Sequence, residues 1–154
     1  MLTSRSLGHE TTSGLLSFLF VQLLKKPSCY QKAQKEVDDV IDKEPVTLQH
    51  MSRLPYITAC LRETLRLNPS APVFTVRLKG DKPTVLGGRY EIKPGQTIKC
   101  LLPKIHRDLS VFGEDAEIFK PERMLDENFQ ALPKNAWKAS SYPLQSNNIE
   151  ALSN

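Results

Sequence analysis

The chain has 154 residues, 40% of them hydrophobic and 25% charged, with 21 basic and 17 acidic residues interspersed. That length suits one ordinary domain, and a mild, mixed charge of +4 describes a solvated surface rather than a nucleic-acid footprint. Cys29, Cys60 and Cys100 stand far apart with no CxxC pair, which indicates neither a zinc site nor a disulfide framework; reduced thiols in a cytoplasmic protein are the expectation.

The first expected element is a helix over residues 7–26. Its apolar residues Leu15, Leu16, Phe18, Leu19, Phe20, Val21, Leu23 and Leu24 cover every face, the pattern of a fully buried helix. Lys25 and Lys26 suit its negative end, and Pro27 stops it. The apolar run is too short to span a bilayer, and "MLTSRS" offers no signal region, so no membrane span or targeting address is expected. A second helix, about 28–42, carries Cys29, Tyr30, Ala33, Val37, Val40 and Ile41 as one stripe with charges opposite. A third, over 55–67, has Ile57, Leu61 and Leu65 as its expected buried edge, with Pro69 beyond it.

The period then shortens. Residues 73–78, 84–86, 89–92 and 97–102 are short β-branched and apolar runs, separated by Gly80-Asp81, Gly87-Gly88 and Pro94-Gly95, all good turn dipeptides. They read as a small antiparallel sheet of hairpins. Beyond "IHRDLSVFGEDAEIFKPERM" the text is irregular, and from Ala139 it is polar and unpatterned. The expected fold is mainly α with a small antiparallel β-sheet (α+β), organised as a domain over 1–138 and an unrelated polar tail over 139–154.

Two stretches carry candidate chemistry. "GHETTSG" sets Glu10, Thr11 and Thr12 at the head of the apolar helix. Locally, the threonines back-bond within the helix and Glu10 favours its positive end; the functional alternative is a proton relay of carboxylate and hydroxyl facing a site that consumes protons. "RETLR" places Glu63 and Arg66 three apart, on one face of the third helix and away from its apolar stripe. On the surface such a pair contributes only about 0.2–0.5 kcal/mol. Buried, it needs a further partner, and Arg123 of "KPERM" is the candidate. Two other matches fail. "HETTS" lacks the second histidine of a zinc-protease helix, having Ser13 there. "HRDL" has Gly113 where a kinase loop needs its metal-binding Asn, and no DFG follows.

In their order, "GHETTSG", "ETLR" and "HRD…FGEDAEIFKPERM" resemble the second half of a cytochrome P450, a haem-thiolate monooxygenase. "SAPVFTVRLKGDKPTVLGGRYEIKPGQ" and "IHRD" resemble the self-sufficient fatty-acid hydroxylases of bacilli and filamentous fungi, which fuse haem domain and reductase. The resemblance covers residues 7–138. It implies that the first helix crosses the distal face of a haem, with Gly8 and Thr12 close to the porphyrin. Thr11 and Glu10 would deliver protons to iron-bound dioxygen. Glu63, Arg66 and Arg123 would form a structural triad. Ser70 and Phe74 would touch the haem, while Leu7, Ala71 and Val73 line a channel for an apolar, fatty-acid-like substrate. It also implies electrons from NADPH through a flavin-containing (FAD/FMN) NADPH–P450 reductase, fused or separate.

The resemblance has departures. Leu7 replaces a small alanine, Phe112 a tryptophan and Met124 a phenylalanine. After "LPKNAWK" the family reads on into a loop of the type FxxGxRxCxG, whose cysteine holds the iron; here the text is "ASSYPLQSNNIEALSN". None of the three cysteines has that context, so no metal ligand is assigned, and a chain without the thiolate would lack its axial push on dioxygen. One expectation is a haem monooxygenase whose central piece this chain represents, inactive alone; the alternative is a non-catalytic truncated remnant or interaction fragment. A generic binding module with accidental motifs requires three ordered matches to coincide. Each apolar side chain of the first helix is worth about 1.5–3 kcal/mol when buried. The chain is too short to cover all of them, so alone it is expected to fold poorly or aggregate.

Overall fold

A computed structural model describes residues 3–78 and 81–133, with side chains from His9 onward. Gly80, the side chain of Leu7, the surroundings of Gly8, and the polar tail over 139–154 lie outside what is described.

Helix α1 (Thr3–Lys25) is followed by α2 (Pro27–Ile41), where Pro27 both ends the first helix and occupies the first turn of the second. A short helix α3 (Leu48–Met51) has no counterpart in the sequence expectation. Thr47 and His50 form a reciprocal capping box at its start. Helix α4 (Pro55–Leu67) lies between two apolar clusters. Leu19, Leu23, Cys29, Cys60, Leu67 and Phe119 form one; Ala59, Phe112, Ala116, Met124 and Phe129 form the other.

Two expectations about burial are corrected here. The α1 helix is not buried all round: only Leu19 and Leu23 are buried among its apolar residues, and Phe20 and Leu24 are 58% and 75% exposed. One face packs on α4 and α2, and the described residues supply nothing to cover the other. In α4 the buried residues are Ala59, Cys60, Glu63, Thr64, Arg66 and Leu67, while Ile57, Leu61 and Leu65 are half-buried. The helical period was right and the face was wrong. The charged pair goes inside because its hydrogen-bonding capacity is met there, as shown below.

Strands β1 (Val73–Arg77), β2 (Thr84–Leu86), β3 (Tyr90–Ile92) and β4 (Thr97–Leu101) form two two-stranded sheets rather than one meander. The outer strands β1 and β4 pair antiparallel, and the β2–β3 hairpin is carried between them. Gly87 and Gly88 have φ of +59° and +63°, and Arg89 N–H donates to the Leu86 carbonyl at 3.2 Å. Two consecutive positive φ values at a hairpin turn select glycine. Residues 102–124, for which no helix was expected, contain α5 (Leu102–Ile105), α6 (Leu109–Phe112) and a 3₁₀ turn (Pro121–Met124), and the stretch beyond them, expected to be irregular, contains α7 (Asp126–Ala131).

The N-terminus of α4 is capped from another element. Glu36 of α2 accepts the backbone N–H groups of Tyr56 and Ile57 at 2.8 and 2.9 Å, satisfying two donors that the helix itself leaves open. Glu36→Ala is therefore expected to lower stability by about 1–2 kcal/mol, measured as a lower urea midpoint with an unchanged m-value.

Candidate functional site

The site is organised by a buried carboxylate. Glu63 is 0% exposed and Arg66 1%, and their spacing on α4 brings them face to face. Arg66 Nε and Nη2 donate to the two Glu63 oxygens, each at 2.8 Å, the bidentate geometry that a guanidinium suits. Its other donors reach the carbonyls of His106 and Ala116 at 2.7 Å each and Ile118 at 3.4 Å. All five N–H groups of the guanidinium are thus taken, and its plane lies 4.8 Å from the Phe112 ring centroid. Arg123 Nε donates to Glu63 at 3.1 Å, as does the Lys120 backbone N–H. Arg123 also reaches the Phe112 and Asp115 carbonyls and, at 3.0 Å, the Asp115 carboxylate. Two carboxylates thus face two guanidiniums, and Lys120 Nζ also pairs with Asp115 at 3.0 Å. The triad expected from the sequence forms, and Asp115, which the sequence reading missed, completes it.

The "HRDL" stretch is structural as well. Asp108 caps α6 by accepting Ser110 N–H at 2.9 Å. Arg107 binds Glu117 and the Leu67 and Pro103 carbonyls. His106 is 1% exposed, and its Nδ1 lies 3.2 Å from the Arg66 carbonyl. A carbonyl only accepts, so Nδ1 carries the proton in that bond. Burial holds this imidazole below its usual 6.5; the Arg66 and Arg107 cations act in the same sense, against the carbonyls of Arg66 and Leu65. Its Nε2 is a buried side-chain atom without a hydrogen-bond partner.

On the other side of His106 lies a groove of about 300 Å³ walled by Thr11, Thr12, Leu15, Leu65, Pro69, Ser70, Ala71 and His106. It brings together four residues singled out in the sequence (Thr11, Thr12, Ser70 and Ala71) from α1 and the α4–β1 connection. Glu10 precedes them on α1 and is exposed, outside the wall. Val73 and Phe74 lie on β1, with Val73 turned outward and 42% exposed; neither is in the wall. Leu65 and His106 are wall residues that sequence reasoning did not assign. The wall is apolar with three hydroxyls. It supplies no thiolate: Cys29 and Cys60 are buried in α2 and α4, and Cys100 is half-buried on β4. Among the described residues no cluster of three His, Cys, Asp or Glu could hold a metal ion, and no helix is long and apolar enough to cross a membrane.

The sequence model of the cytochrome P450 family matches residues 6–141. The chain belongs to the cytochrome P450 family. It is 57% identical over 135 residues to a bifunctional cytochrome P450/NADPH–P450 reductase of Acremonium egyptiacum, covering 85% of this chain and 13% of that protein. It is 58% identical over 131 residues to a self-sufficient cytochrome P450 monooxygenase of Aspergillus terreus, covering 85% and 12%. A self-sufficient cytochrome P450 monooxygenase of Oidiodendron maius is 53% identical over 138 residues, covering 90% and 13%. The chain therefore spans about an eighth of the length of these relatives, and it falls with the branch in which the P450 is fused to its reductase.

Two outcomes follow for this P450 segment. Glu63→Gln leaves the buried Arg66 guanidinium without its counter-charge, and should cost about 3–5 kcal/mol; chemical unfolding monitored by circular dichroism measures it. Burial holds the folded His106 imidazole below the value near 6.5 at which the unfolded chain takes up its proton. Its contribution to stability is complete above that value and is lost as pH falls below it. In thermal melts from about pH 8 to about pH 5, His106→Gln should flatten the upper part of the decline.

Proposed function

We propose that this chain is the central portion of a haem monooxygenase domain that, in its complete form, inserts one oxygen atom of O₂ into a C–H bond of an apolar, fatty-acid-like substrate. Electrons would come from NADPH through an NADPH–P450 reductase of the kind a relative's name gives, with FAD and FMN as its flavins. The observation that carries this reading is the groove, where Thr11 and Thr12 of α1 face Ser70 and Ala71 across an apolar wall. The haem, when bound against that wall, supplies the oxygen-activating chemistry. The chain's own residues do the rest. Leu15, Leu65, Pro69 and Ala71 exclude water and hold an alkyl chain by burial. Thr11 Oγ1 holds a proton at the groove, and exposed Glu10, one residue before it, exchanges that proton with solvent. The family resemblance also assigns Gly8, Leu7, Val73 and Phe74 to the haem and substrate boundary. Glu63, Arg66 and Arg123 act by positioning: they fix α4 against the segment that follows the sheet.

The alternative, a non-catalytic remnant, is favoured by one observation: the three cysteines sit on α2, α4 and β4, away from the groove. Sequencing the transcript through the codons for Trp137 and Lys138 and onward separates the two. An in-frame glycine-rich loop with a cysteine supports the monooxygenase. Continuation as "ASSYPLQ", with no thiolate-type carbon monoxide spectrum from haem-reconstituted protein, overturns it. In a complete protein, Thr11→Ala should slow product formation by on the order of a hundredfold while NADPH oxidation persists, and Thr11→Ser should restore it. Equal product yields from Thr11→Ala and the parent would remove Thr11 from the relay.

A further inference from the structure

Helix α1 has one face in the core and another that nothing among the described residues covers. Leu19 and Leu23 bury the inner face, where Gln22 and Lys26 bond to Asn68 and the Phe119 carbonyl. At 3.6 residues per turn the outer side carries Glu10, Gly14, Ser17, Phe18, Val21 and Lys25. These recur at steps of three and four residues, the spacing of a helix–helix seam. Phe18 and Val21 are each 44% exposed. Thr11, Thr12 and Leu15, which wall the groove, lie outside the stripe.

The stripe tolerates burial against another helix. Ser17 within it and Ser13 on its flank donate their hydroxyls to the Ser13 and Glu10 carbonyls, at 2.8 and 3.1 Å. Neither hydroxyl then needs water. A methyl group on Gly14 would meet nothing within 4 Å, so the backbone is open there to a close approach. Glu10 and Lys25 stand at opposite ends, and neither has an ion-pair partner among the described residues. Running from Glu10, the order is acid, notch, centre, bulky side chain, base. That order is complementary to its own reverse.

We propose that α1 pairs antiparallel with α1 of a second copy of this chain, about a two-fold axis passing between Ser17 and Phe18. In that register Val21 of each copy enters the notch at Gly14 of the other, and Glu10 of each reaches Lys25 of the other. Phe18 lies beside its own counterpart at the axis, an isologous aromatic contact. A parallel pair would instead set Glu10 against Glu10, Lys25 against Lys25 and notch against notch. The paired stretch is about 22 Å long. It buries less than the roughly 800 Å² per partner of a standard interface, so the dimer is a weak one, in the micromolar range. The inference does not depend on the groove or its chemistry.

Sedimentation equilibrium of the full chain from about 1 μM to about 100 μM tests it. A reversible monomer–dimer equilibrium with no larger species is expected. Glu10→Lys or Lys25→Glu alone should weaken the dimer about tenfold, since each sets like charges face to face. The two together should restore it. Gly14→Leu fills the notch that receives Val21 and should weaken the dimer about a hundredfold. Its monomer keeps the fold, because the added side chain has space and leucine favours a helix over glycine; an unchanged circular dichroism spectrum checks this. A monomer at every concentration, or an open series of larger species, would overturn the proposal. So would a dimer indifferent to Gly14→Leu, or a double charge reversal that recovers nothing.

Discussion

The packing of α4 against the segment that follows the sheet is arranged around one fully buried carboxylate. Glu63 accepts from Arg66, Arg123 and a backbone N–H, and each guanidinium spends its remaining donors on carbonyls of residues 106–118. Buried ion pairs of this kind are weak evidence for net stability, because desolvation opposes the attraction. What the network supplies is alignment. A segment with only short helices and turns has many backbone carbonyls and few ladders to satisfy them. Two arginines anchored on one glutamate give those carbonyls fixed donors and set the position of the segment against α4.

The groove depends on that alignment. Its wall takes Leu65 from α4, Pro69, Ser70 and Ala71 from the α4–β1 connection, and His106 from the end of α5. His106 is held twice over, through its carbonyl to Arg66 Nη1 and through Nδ1 to the Arg66 carbonyl. The opposite wall, on α1, is held among the described residues by Leu19 and Leu23 in the core, by Gln22 to Asn68 and by Lys26 to the Phe119 carbonyl. One side of the site is thus cross-braced by ion pairs, while the other rests on a helix with much of its apolar surface in water.

The order of helices and strands was legible in the sequence because periodicity and punctuation agree: Pro27, Pro55 and the paired glycines at 87–88 mark real boundaries. The triad was legible from the spacing of Glu63 and Arg66 together with the resemblance that brought in Arg123. Three things were not. The buried face of α4 was misjudged, since hydrophobicity assigns charged residues outward and cannot register a network that satisfies them. Asp115 was missed because its partners, Lys120 and Arg123, follow it at no regular helical spacing, and His106 because its partner is the backbone carbonyl of Arg66, distant in the chain. The exposure of α1 runs against its composition, which marks a helix with apolar demand on all faces and is silent on what meets that demand.

The most direct measurement is native-state hydrogen exchange at the Lys120 amide, whose N–H donates to Glu63 at 3.1 Å. If the carboxylate network is the constraint that holds the fold, this amide exchanges only through global unfolding. Its protection should then match the slowest amides of α4, although it lies in a turn with no ladder of its own. Exchange as fast as that of the exposed β2–β3 hairpin would show that the segment opens independently of α4, and would contradict the account.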